Sequence, residues 1–227
     1  MILGPTLIRQ CSACSQLIEE WTFLSSNNIG IISWTDGEYF AMMLPNPPAL
    51  VKCPHCNELL WIAELELLGD KGDNHSFEDR KMTGNRKKEF VGSLPYNTPG
   101  AEDYFAMLKK GVSGRAKVFY LRLRSWRAGN DVRRESAECP GMFKKPEGGT
   151  NPPLSNDEIE NMLALADLLS EKKHSERLLK AEIMRELSRF DQALVLLSKP
   201  YKPELRRIAI FIRKLTENKD PLVKELC

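Results

Sequence analysis

The spacing of apolar positions changes once along the chain, near residue 98. Before that point they alternate with polar ones or come in short runs rich in β-branched and aromatic residues. Such runs occupy 6–10 (TLIRQ), 21–26 (WTFLSS), 29–37 (IGIISWTDG), 49–53 (ALVKC) and 59–65 (LLWIAEL), and each reads as a short strand. Asp36-Gly37 is a hairpin-turn signal, and Pro45, Pro47 and Pro48 break any strand continuing past them. After residue 98 the apolar residues recur three and four apart, as on one face of a helix. Thr98-Pro99 reads as an N-cap with proline at the first helical position, opening a helix over 101–111. A second helix follows over 116–129, with Ala116, Phe119, Leu123 and Trp126 on one stripe. Ser155-x-x-Glu158 is a capping box, and the helix it opens turns Ile159, Met162, Leu163, Ala166 and Leu169 inward. Residues 175–200 predict two helices joined near Ser188-Arg189. Pro203 opens a last one, with Leu205, Ile208, Ile212 and Leu215 on one face.

Two stretches carry neither pattern. Residues 70–97 are polar and read as a linker with room for a short structured piece, and residues 136–154, with four Pro and three Gly, read as a loop. The expected organisation is therefore α+β. A small β-rich domain spans 1–69, a polar linker 70–97, and an all-helical domain of antiparallel helices 98–227.

The N-terminal block holds the clearest chemistry. Cys11-x-x-Cys14 and Cys53-x-x-Cys56 are two identical knuckles. A thiolate pair at this spacing directs both sulfurs at one ion from a tight turn, and two such turns complete a tetrahedral four-sulfur site. The spacing predicts a structural zinc ribbon held by Cys11, Cys14, Cys53 and Cys56, with each knuckle on a hairpin. An iron centre uses the same ligands and is the alternative. A knuckle needs a residue near the left-handed region just after its second cysteine. Asn57 suits that position and Ser15 suits it less well. Closed coordination by four thiolates leaves no open position for catalysis at the metal. His55 sits inside the second knuckle and is expected to be exposed. Cys139 and Cys227 stand alone.

Charge divides the chain more sharply than its total suggests. Residues 1–70 carry two basic and eight acidic side chains, whereas residues 106–145 carry eleven basic and three acidic. A four-thiolate zinc centre adds about two more negative charges to the first block. That argues against phosphate binding by the ribbon and makes the basic segment the place where an anionic partner would bind. A solvated face, or docking of the basic segment on the protein's own acidic ribbon, is the competing expectation. Trp34, Trp61 and Trp126 read first as core anchors. Asn130-Asp131 reads first as helix-end chemistry, and the alternative is that Asp131 with Arg133 or Arg134 forms a buried bridge between the domains. His75 and His174 lie in polar surroundings, and no phosphate loop, nucleophile elbow or dinucleotide fingerprint is present. No apolar run is long enough to span a bilayer, and no leader pattern opens the chain. The expectation is a cytoplasmic location, which favours metal ligation over disulfides.

The stretch ELSRFDQALVLLSKP resembles the middle of a tetratricopeptide repeat (TPR), with Ser188, Phe190, Asp191, Ala193 and Leu194 at the small, aromatic, acidic and packing positions. Ser188 stands where that repeat has glycine, and no further copy is visible. The ordered set of a WTDG segment, an MLP turn, a CPHC knuckle, a YLRLRxW helix, Asn130-Asp131 with Arg133-Arg134, and the AEIMRELSRFDQAL pair resembles an uncharacterised bacterial family. That family joins an N-terminal zinc ribbon to a TPR-like helical C-terminus. The resemblance implies an architecture and no reaction. Together these readings point to a non-enzymatic adaptor that binds a protein partner through its helices. Nucleic-acid binding through 106–145 is the rival, and an enzyme whose site lies between the domains, with Asp36, Asp131 and neighbouring arginines contributing, is a third reading.

Overall fold

The computed structural model describes residues 1–71, 90–134 and 151–226. These hold small β-sheets and six α-helices, a mixed α+β architecture. Cys139 and Cys227, His75, and most of the 70–97 and 136–154 stretches lie outside the described residues. The chain divides into two compact units. One is residues 1–30 with 41–99, and the other is residues 31–40 with 100–227.

In the first unit, strands β1 (Ile2–Leu3) and β4 (Phe23–Ser25) pair antiparallel, while β2 (Leu7–Gln10) and β3 (Leu17–Glu20) form a hairpin with Ile8 opposite Glu19. Strands β7 (Leu50–Lys52) and β8 (Leu59–Trp61) form a second hairpin with Val51 opposite Leu60. The LLWIAEL run is not one strand. A single 3-10 turn over Ile62–Glu64 follows β8, and the chain then resumes as β9 (Glu66–Asp70) along β2. The turn lets Ile62 and Leu65 both face inward, which a straight strand would not allow. Strand β10 (Leu94–Pro95) adds parallel to β3, completing the sheet order β10-β3-β2-β9. The core is Ile18, Val51, Leu60, Ile62 and Leu65 around Cys11 and Cys53, with Cys14 and Tyr96 against it. Sulfur and hydrocarbon thus share one small interior.

In the second unit, strands β5 (Ile32–Ser33) and β6 (Tyr39–Phe40) form a hairpin whose turn is Asp36-Gly37. Gly37 has φ +74°, and a Cβ there would lie 2.8 Å from the Arg127 guanidinium, so both backbone and space call for glycine. The C-terminal segment pairs with this hairpin. Thr35 N–H donates to the Lys224 carbonyl and Leu226 N–H to the Ser33 carbonyl. Ile32, Trp34 and Val223 make a small apolar cluster there. Residues 31–40, which pattern groups with the strands of the N-terminal block, pack with the helices.

The helices are α1 (Ala101–Lys110), α2 (Arg115–Asn130), α3 (Asn156–Leu168), α4 (His174–Glu186), α5 (Phe190–Leu197) and α6 (Pro203–Glu217). The Thr98 cap is a correction. Helix α1 starts two residues later, with Gly100 as N-cap and its N–H bonded to Asp103. Asp103 supplies the return half of a capping box, and so the cap forms without a side chain at its own position. The Ser155–Glu158 capping box is present in both directions, and Pro203 occupies the first turn of α6. Between α4 and α5 the chain turns at Ser188, with φ +58°. A residue with a Cβ therefore holds the conformation that glycine usually takes there. Trp126, Met162, Leu165, Ala166, Ile183, Met184, Ala193, Leu197 and Ile212 lie in one shared core. Leu196 is buried in that core, whereas Leu194, the residue expected inward, is only half-buried.

A candidate metal centre

Each knuckle is the turn of a hairpin. Residues 11–16 connect β2 to β3, and residues 53–58 connect β7 to β8. The two turns are built alike. Ser15 N–H donates to the Cys11 carbonyl and Cys11 N–H to the Gln16 carbonyl. Asn57 N–H donates to the Cys53 carbonyl and Cys53 N–H to the Glu58 carbonyl. Ser15 and Asn57 both sit in the left-handed region, at φ +60° and +63°. That conformation turns successive N–H groups toward the sulfur. Those of Ala13 and Cys14 donate to Cys11, and those of His55 and Cys56 donate to Cys53.

The four sulfurs converge, all within 4.8 Å of one another. Across the two knuckles Cys11 Sγ is 3.8 Å from Cys56 Sγ, and Cys14 Sγ is 3.8 Å from Cys53 Sγ. A tetrahedron with metal–sulfur bonds of about 2.3 Å places its corners about 3.8 Å apart. The donor set therefore fits one ion of zinc size. All four cysteines are free thiols, two of them buried. Burial pushes the Cys53 thiol up to about 12, against the N–H bonds that favour its thiolate. At Cys11 burial acts the same way, but the N–H donors of Cys14 and Ala13 outweigh it and leave the thiol below its ordinary value. A thiol as reluctant as Cys53 ionises when a cation displaces its proton, so metal uptake releases protons. His55 stays out of the set. It is exposed, and its Nε2 lies 3.1 Å from the Leu17 carbonyl.

The tryptophan, aspartate and arginine residues singled out by sequence occupy the second unit, apart from Trp61 in β8. Trp34 and Trp126 are buried, as core anchors. Asp36 and Arg134 form a fully buried pair with contacts of 2.8 and 2.5 Å, and Arg134 also lies over the Trp34 ring. Burial alone would raise Asp36. The Arg134 guanidinium and the Asn130 amide outweigh it and hold the carboxylate below its usual range. Asp131 meets Arg134 at 3.0 Å, and Arg133 grips Glu158 through two bonds. The described part of the basic segment, residues 106–134, is thus largely engaged within its own unit. Arg124 bonds Glu38, Arg127 bonds the Asp36 carbonyl, and Arg122 bonds Asn161. His174 accepts from Lys202 N–H and stacks edge-on with Tyr201.

Sequence reasoning passed over Glu182, Arg185 and Glu186, all buried on α4. The signal was available. Glu182 and Glu186 follow Leu178 at four-residue steps, so acids occupy an apolar stripe. Glu182 and Arg185 pair with each other, whereas Glu186 is bonded by Trp126 and Asn130.

Among the described residues no helix is long and apolar enough to cross a membrane. No known protein-family model matches the chain, and no curated protein and no solved structure is detectably similar to it. The four-cysteine cluster is therefore the functional feature best defined by geometry.

Proposed function

We propose that the N-terminal unit is a zinc ribbon with a structural, not catalytic, metal, and that the protein is a non-enzymatic adaptor whose helical unit binds a protein partner. The observation that carries the metal reading is the 3.8 Å spacing of sulfurs across two alike knuckles. Four thiolates close the coordination shell, and N–H donors to sulfur are the support a thiolate cluster uses. A unit with so few apolar side chains in its core gains much from a metal, about 10 kcal/mol or more in small zinc domains. Iron in the same site is distinguished by elemental analysis.

The helical unit is read as TPR-like because α4 and α5 share one core and are joined by a short turn with a left-handed residue at Ser188. Engagement of Arg122, Arg124, Arg127, Arg133 and Arg134 within that unit favours a protein partner over nucleic acid. Arg124, Arg133 and Arg134 are bonded to carboxylates, and charges so paired contribute little to phosphate binding. Chromatography on heparin or polynucleotide at about 0.15 M salt tests this, where screening is moderate. Weak or absent retention is expected. Tight retention, lost on neutralising Arg122 and Arg124, would replace the adaptor reading with the nucleic-acid one.

A further inference from the structure

A cavity of about 450 Å³ lies in the helical unit, lined by Asn130, Arg133, residues 151–154, Ile159, residues 186–189 and residues 221–223. Its volume falls in the range of small-molecule sites. Three of its features favour the same kind of ligand. First, Glu186 lines it and is buried, yet among the described residues no cationic side chain is in ion-pair range of its carboxyl. Its neighbours are neutral donors, Trp126 Nε1 at 2.8 Å and Asn130 Nδ2 at 3.1 Å, both on Oε2. Oε1 receives only the Asn130 amide, at 3.3 Å. A carboxylate has about four acceptor sites, so Oε1 retains capacity. The other buried carboxyls differ, since Asp36 has Arg134 and Glu182 has Arg185.

Second, the arginine that lines the cavity has nothing left for an anion. All five N–H groups of Arg133 are used, on Glu158 and on the carbonyls of Gly129, Pro152 and Pro153. Arg189, also on the lining, is exposed, so solvent screens it. Third, Glu186 is the last residue of α4 and Leu187 its C-cap, an end where the helix dipole favours positive charge. The remaining lining is mostly apolar, with Pro152, Leu154, Ile159, Leu187, Leu222 and Val223.

The geometry points to a binding site for a small organic ammonium ion with an apolar body, its N–H groups on the Glu186 carboxyl, which gives up its proton to solvent when the cation binds, and its hydrocarbon against the prolines and leucines. The ligand supplies the counter-charge that the fold leaves out. The full chain, zinc-loaded, can be titrated with cyclohexylmethylammonium and, separately, with the neutral cyclohexylmethanol. The readout is the indole N–H resonance of Trp126, which donates to the same carboxyl. The amine is expected to shift that resonance saturably and to bind at least about tenfold more tightly than the alcohol. Glu186→Gln, which keeps an acceptor for Trp126 and Asn130, is expected to lower amine affinity about tenfold and leave alcohol affinity unchanged. The inference is overturned by an unmoved Trp126 resonance at tens of millimolar amine, by equal affinity for amine and alcohol, or by unchanged amine binding in Glu186→Gln. Because the indole readout needs only the parent protein, a variant that misfolds does not shield the proposal.

Discussion

Replacing Asp36 with Asn tests whether the buried pair at the WTDG turn holds the helical unit together. The substitution keeps the size of the side chain and removes its charge. Arg134 then remains with a side chain of 0% exposure and without the carboxylate that it contacts at 2.8 and 2.5 Å. Asp131 is a partial substitute at 3.0 Å, but its side chain is 49% exposed and meets only Nε. Asn130 and the Glu38 N–H lose their charged acceptor as well. Breaking a buried pair by removing one partner costs about 3–5 kcal/mol, because the other charge stays buried. Solvated Asp131 recovers part of this, and so the expected loss is about 3 kcal/mol. Urea unfolding followed by far-ultraviolet circular dichroism measures it. With a slope of about 2 kcal/mol per molar, the midpoint falls by about 1.5 M. The double variant Asp36→Leu with Arg134→Met removes both charges and is expected to lose less than Asp36→Asn alone. A single variant within about 0.5 kcal/mol of the parent, as for an ordinary surface change, would refute the reasoning.

Cys53→Ser is expected to abolish the fold of the strand unit, seen as lost dispersion in its amide resonances, while most of the helical signal persists; loss of both together would refute the independence of the two cores. Ala193, fully buried where α5 meets α4, leaves no space for a long side chain, so Ala193→Arg should cost several kcal/mol through overpacking and a buried charge, and an unchanged melting curve would contradict the packing. Glu186→Gln should change how stability depends on pH. Burial, then Glu182 and Asp36, hold the Glu186 carboxyl well above its ordinary value, so the native state keeps a proton that the unfolded chain releases above about pH 4.3. In the parent, that term is fully favourable below the unfolded value and is lost as pH rises, whereas the Gln variant has no such term. The variant should gain on the parent by about 1.4 kcal/mol per pH unit across that window, and parallel stability–pH curves would show that Glu186 is not perturbed.

Local chemistry was legible in the chain, and pairings between distant residues were not. The knuckles, their hairpins and the need for a left-handed residue follow from a few adjacent positions, and Asn57 and Ser15 both adopt it. The Ser155 cap, the Pro203 start and the Ser188 turn are equally local. Asp36 and Arg134 lie 98 residues apart, and nothing in the spacing of either announces the other. For the same reason the 31–40 hairpin looks like one more strand pair of the N-terminal block. Its affiliation with the helices is set by Trp34, by the C-terminal segment at 223–226 and by Arg134. The acids of α4 were hidden differently. The stripe that carries Glu182 and Glu186 was visible, but hydrophobic spacing assigns apolar residues inward and does not register a charge in their place. Leu196 faces inward in place of Leu194 because the two flank the Ala193–Leu197 stripe on opposite sides, and spacing alone does not say which flank the core covers.

The central claim is that Cys11, Cys14, Cys53 and Cys56 hold one structural zinc. Elemental analysis of the gently purified protein, with metal per chain determined alongside the Cys53→Ser variant, tests it most directly. The account predicts about one zinc and little iron in the parent, and a loss of most of that zinc in the variant. A parent that carries no zinc and binds none when it is supplied, or one that carries iron at one per chain, would contradict it.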